Sequence, residues 1–103
     1  MIIRKSKTMK FLKEMTGGPL TLAELIRSIR LGEEMSQEEF AKTLEISTSH
    51  LCDIEKGRKT VGVERAARFA KILGYSKEQF VRLALQGILD KEGLGMKVSV
   101  KAA

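Results

Sequence analysis

Residues 36–58, SQEEFAKTLEISTSHLCDIEKGR, constrain the fold of this chain more than any other stretch. Ser36 stands three residues before Glu39, just ahead of the apolar Phe40. That order is a capping box, in which the Ser hydroxyl and the Glu carboxylate each satisfy a backbone N–H left over at a helix start. Ser47 is a second capping residue, and Gly57 stands where a left-handed residue can close a helix. Phe40, Ala41 and Leu44 share one face of the first helix, Leu51 and Ile54 one face of the second, and Ile46 falls in the turn. Ala41 is small where the two helices would cross most closely. The spacing predicts two short helices joined by a tight turn.

The outward face of the second helix holds Ser49, Cys52, Asp53 and Lys56, with Thr48 at its leading edge. Short polar side chains on an exposed helix face suit a groove lined with hydrogen-bonding edges. This is the helix-turn-helix arrangement, whose second helix enters the DNA major groove.

Three groups of residues carry a family resemblance: Ser36-Gln37-Glu38-Glu39-Phe40-Ala41, Ile46-Ser47, and Leu51-Cys52-Asp53-Ile54-Glu55-Lys56-Gly57-Arg58. They resemble the Cro and phage-repressor-like helix-turn-helix family, also called Xre-like. The I-E-x-G-[RK] ending is specific for that family, and the resemblance extends over residues 20–86, about two thirds of the chain. It implies an all-α, five-helix, lambda-repressor-like DNA-binding bundle. It implies base contacts from Thr48, Ser49 and Asp53, and an Arg30–Glu55 ion pair that fixes the recognition helix against the first helix. A Gln at the position of Gln37 contacts phosphate and braces the recognition helix in related proteins; otherwise Gln37 is a plain first-turn residue. One departure is visible: Glu45 occupies a turn position that the family usually gives to Gly. With a positive φ, a Glu there costs on the order of 1 kcal/mol relative to Gly.

The chemistry of the candidate site residues leaves alternatives. Thr48 and Ser49 both donate and accept, so alone they discriminate bases poorly. Asp53 in a groove accepts from cytosine N4, or repels phosphate and so enforces selectivity. Arg58, Lys59 and Thr60 follow the recognition helix directly and are expected, with Lys56, to meet phosphate, which sets affinity and register rather than sequence preference. Their competing reading is a solvated charge run. His50 is a further phosphate candidate, against a surface or packing role. Cys52 reads as a half-exposed small residue, since no basic pair beside it in sequence supports a redox switch.

The net charge of +6 is unevenly spread. Residues 1–20 carry five Lys/Arg against one Asp/Glu, whereas residues 21–86 carry eleven against ten. The nearly neutral middle of the chain means that attraction to DNA must come from local charge placement. A single cysteine rules out an internal disulfide framework and suits a reducing cytoplasm. No apolar run approaches the roughly 20 residues of a membrane span, and no long apolar region follows the basic N-terminus, so a signal peptide is not expected there. No metal or cofactor is expected. One His, no recognisable nucleophile–base set, no glycine-rich phosphate loop and no metal-ligand spacing argue against an enzyme.

Around the motif, three further helices are predicted. Thr21 and Glu24 cap the first, with Leu22, Leu25, Ile26 and Ile29 as its buried stripe. The fourth runs over residues 63–73, burying Val63, Ala66, Ala67, Ala70 and Leu73 with Phe69 beside them, and ends at Gly74. Ser76 caps the fifth, which runs to about Leu89 with Phe80, Leu83, Ala84 and Ile88 inward. The helix-turn-helix domain is thus expected over residues 20–89. Residues 1–19 form a basic arm: mobile, or ordered against a partner or along DNA phosphate. In residues 90–103, Met96, Val98 and Val100 alternate with Lys97, Ser99 and Lys101, a strand pattern. Such a strand needs a partner, which the N-terminal segment, the same strand of a second subunit in a homodimer or another protein could supply; the alternative is a frayed tail. The expected function is a transcriptional regulator, a repressor binding an inverted-repeat operator as a dimer. The alternative is an antitoxin that binds its own operator and neutralises a toxin partner through a terminal extension.

Overall fold

The computed structural model describes residues 21–103. The expected arm at residues 1–19 lies outside the described residues. Five α-helices follow in order: α1 (Leu22–Gly32), α2 (Gln37–Leu44), α3 (Thr48–Glu55), α4 (Val63–Leu73) and α5 (Lys77–Lys91). No strand occurs among the described residues, and the fold is all-α. The residues fall into two compact units, one ending at Lys59 and the other beginning at Thr60.

In the first unit, α3 packs against both α1 and α2. The buried residues are those that the periodicity picks out: Leu22, Leu25, Ile26 and Ile29 on α1, Phe40, Ala41 and Leu44 on α2, and Leu51 and Ile54 on α3. Capping boxes open α1 at Thr21 and α2 at Ser36. Hydrogen bonds from the Ser36 backbone and hydroxyl hold the Glu39 carboxyl below its ordinary value. A lowered carboxylate contributes stability that is present above the ordinary range and lost only as pH falls through the lowered value.

In the second unit, α4 and α5 pack together, joined by three residues that favour antiparallel neighbours. Ala66, Phe69, Ala70 and Leu73 of α4 and Phe80, Leu83 and Ala84 of α5 are buried. Two expected core positions are not: Val63 is 39% and Ile88 38% exposed, and Ala67 is only half-buried. Val63 opens α4 and Ile88 lies in the last turns of α5, so both stand near the ends of their helices. The fifth helix also runs past Leu89 to Lys91.

Each helix closes in the same way. The N–H of a left-handed residue and the N–H after it return to carbonyls of the last turn, the Schellman arrangement. Thus Glu45 N–H donates to Lys42 O at 3.1 Å and Ile46 N–H to Ala41 O at 3.0 Å, and Gly57 and Arg58 do the same to Ile54 and Asp53 at 3.0 and 2.8 Å. The left-handed residue is Gly at three of the five ends, but Glu34 (φ 56°) and Glu45 (φ 62°) at the other two. Glu45 takes the positive φ raised by its turn position; Glu34 has no such signal in the sequence.

The strand expected at residues 96–100 does not form. Among the described residues no second strand lies beside the segment, and a side chain takes the place of one. The Gln86 amide donates to Met96 O at 2.7 Å and accepts from Val98 N–H at 3.0 Å, while a second donation to Asp90 Oδ1 at 2.9 Å fixes its rotamer. The tail is therefore clasped to α5 by an amide acting as a substitute peptide group.

Replacing Glu45 by Gly removes left-handed strain at the cost of unfolded-state entropy, and should stabilise the fold by about 0.5–1 kcal/mol in urea melts. Gln86→Ala should leave the melting midpoint nearly unchanged yet speed proteolytic trimming of the tail after α5.

Candidate nucleic-acid interface

The second helix of the motif is α3. Ser47 Oγ accepts from His50 N–H at 3.0 Å and starts it, and the left-handed Gly57 ends the turn beyond it. Leu51 and Ile54, at most 1% exposed, anchor its inner face. On the other face Thr48, Ser49 and Lys56 are exposed, while His50, Cys52 and Asp53 are half-buried. The face open to a partner is therefore short and polar for most of its length.

What orients this helix is a network of charge-assisted hydrogen bonds. The Arg30 guanidinium meets the Glu55 carboxylate as a fork, Nε to Oε2 at 2.8 Å and Nη2 to Oε1 at 2.9 Å. Its remaining Nη1 donates to Met35 O at 3.1 Å, and Gln37 Nε2 donates to Glu55 Oε1 at 3.1 Å. The Glu55 side chain is only 3% exposed and Arg30 12%. A carboxylate so far from water needs several donors to offset its lost hydration, and it has three. Because the fork is planar and bidentate, it sets the angle of α3 as well as its distance from α1. Gln37 at the start of α2 joins the same carboxylate and Met35, just before α2, the same guanidinium, so the network ties α1, α2 and α3 together.

Beyond α3, Arg58 and Lys59 are well exposed, at 62% and 58% of their side chains. Both turn towards Asp53: Arg58 Nη1 lies 3.2 Å from Oδ1, and Lys59 Nζ 3.9 Å from Oδ2. The structure thus brings together an acid assigned to base reading and two cations assigned to phosphate. Sequence reasoning treated them separately. The five-residue offset was the available signal, since it equals the span of the closing turn. Thr60 is exposed and opens the second unit. Among the described residues, no group of three or more His, Cys, Asp or Glu is placed to hold a metal ion, and no helix is long and apolar enough to cross a membrane.

Breaking the fork from one side strands a nearly buried charge, whereas replacing both partners does not. Glu55→Ala should cost about 2–4 kcal/mol and Arg30→Met Glu55→Leu together markedly less, measured as unfolding free energies around a double-mutant cycle.

The sequence that builds α2, the left-handed turn at Glu45 and α3 matches a family model. The helix-turn-helix model HTH_3 covers residues 26–80, from within α1 through α2, α3 and α4 into α5. No curated protein and no solved structure matches the chain. The family is one of DNA-binding regulatory domains and not typically of enzymes. With more than half its length covered by that model, the chain belongs to the Cro/C1-type, Xre-like helix-turn-helix family of DNA-binding transcriptional regulators.

Proposed function

We propose that this protein is a sequence-specific repressor that acts in the cytoplasm as a homodimer on an inverted-repeat operator, each copy laying α3 in the major groove. The observation that carries this reading is the Arg30–Glu55–Gln37 network, which holds α3 rigidly while its polar side remains open. A helix read by base edges must be held within a fraction of an ångström, and a buried fork does that better than apolar contact alone. Thr48 and Ser49, exposed at the start of α3, are the residues for base edges. Gln37, His50, Lys56, Arg58, Lys59 and Thr60 are the candidates for phosphate.

A second reading draws on the C-terminal segment, where Leu94 and Met96 stand 57% and 55% exposed. In an antitoxin this apolar pair on a clasped tail would contact a toxin. A small basic ribonuclease-like protein encoded beside this chain and co-purifying with it would favour that role; DNA binding without such a partner favours the plain regulator.

Selection of bound DNA from a random pool tests the main reading. Enrichment of an inverted repeat with half-sites about one helical turn apart is the expected outcome; a pool without a shared motif would overturn it. On the enriched duplex, Ser49→Ala should shift base preference at one position per half-site, by about three- to tenfold. Lys56→Ala should weaken all sequences alike and lower the salt slope by about one.

A further inference from the structure

Asp53 is an awkward residue for its position. It lies in the last turn of α3, where the helix dipole already concentrates negative charge, and that turn contains no basic residue. It also sits on the side of the helix that the proposed function turns towards a polyanion. The closing turn does not require it. In a Schellman closure the residue accepting the longer bond and the residue donating it are usually an apolar pair. At α2, α4 and α5 those two positions hold Ala41 and Ile46, Ala70 and Tyr75, and Leu89 and Leu94, and at α1 they hold Arg30 and Met35. At α3 they hold Asp53 and Arg58, an acid and a base. The Asp53 carbonyl also accepts from Lys59 N–H at 3.3 Å, so one residue holds both cations by main chain and by side chain. Its carboxylate is 23% exposed, behind two cations more than half exposed.

We propose that Asp53 is a positioning residue that sets DNA discrimination through Arg58 and Lys59, rather than a reader of bases. Oδ1 accepts from Arg58 Nη1 at 3.2 Å and Oδ2 faces Lys59 Nζ at 3.9 Å, so a base amine would have to compete with two cations for this carboxylate. It holds the two cations over the end of α3 and offsets part of their charge, so a phosphate must compete with a carboxylate already in place. A loosely seated, non-specific duplex competes poorly. An operator that seats α3 fully brings its phosphates close enough to draw the cations outward. The inference rests on the DNA-binding reading and adds a mechanism for specificity to it.

The test compares Asp53→Asn with the wild-type chain, on the selected duplex and on a random duplex of equal length, over a range of salt. Asp53→Asn should raise affinity for the random duplex about fivefold at moderate salt and steepen its salt slope by up to about one. Affinity for the selected duplex should rise less, so that the ratio of the two falls. The gain on random DNA should vanish when Arg58 and Lys59 are both Ala, and Asp53→Glu, which keeps the charge, should restore most of the wild-type ratio. Should the Asn variant lose helicity, Asp53→Ser makes the same change of charge with a smaller side chain. Loss of affinity for the selected duplex alone would identify a base reader and overturn the proposal, as would equal changes on both duplexes or none. Failure of the wild-type chain to bind either duplex would instead overturn the DNA-binding reading, and this one with it.

Discussion

The fork between Arg30 and Glu55 is the contact on which the first unit depends. It joins residues 25 apart in sequence and nearly excludes water from the carboxylate. Such a pair is a poor source of net stability, because the desolvation of both ions offsets much of their attraction. Its value lies in geometry: apolar packing by Leu51 and Ile54 tolerates small rotations, but two parallel hydrogen bonds to a planar fork do not. Gln37 adds a third donor to the same carboxylate from the first turn of α2. The register of the two motif helices and the first helix is therefore set at one point.

Around that point, the helix ends do most of the shaping. Five closures of one type turn the chain within two or three residues each, and they leave Glu34 and Glu45 in a conformation that favours Gly. The strain at Glu45 sits inside the turn of the motif and adjoins buried Leu44. At α3 the same closure delivers Arg58 and Lys59 back to Asp53, so a device for ending a helix also disposes the charges beside the exposed polar face of α3.

The second unit has the simpler organisation of two packed helices with an attached tail. Its buried set follows the periodicity except at Val63 and Ile88, which are exposed near helix ends, and at the half-buried Ala67. The tail illustrates a pattern that means less than it promises: alternation of Met96, Val98 and Val100 with polar residues describes a strand only if another strand lies beside it. Within one chain, Gln86 supplies the two bonds instead.

Helix starts, helix ends at glycine and the inner faces of all five helices were legible in the linear sequence, because caps and stripes involve residues three or four apart, within reach of one turn. The family resemblance added the Arg30–Glu55 pair, which no local rule supplies across 25 residues. Left to the three-dimensional fold were the atom by which Gln37 braces α3, the joining of Met35 to that pair, the left-handed Glu34, the engagement of Asp53 by Arg58 and Lys59, and the capture of the tail by Gln86. The physical reason is common to them all. Each depends on where a polar side chain finds its partner once the backbone has turned, and a polar side chain, unlike an apolar one, carries in its identity no statement of whether it faces water, a neighbour or DNA.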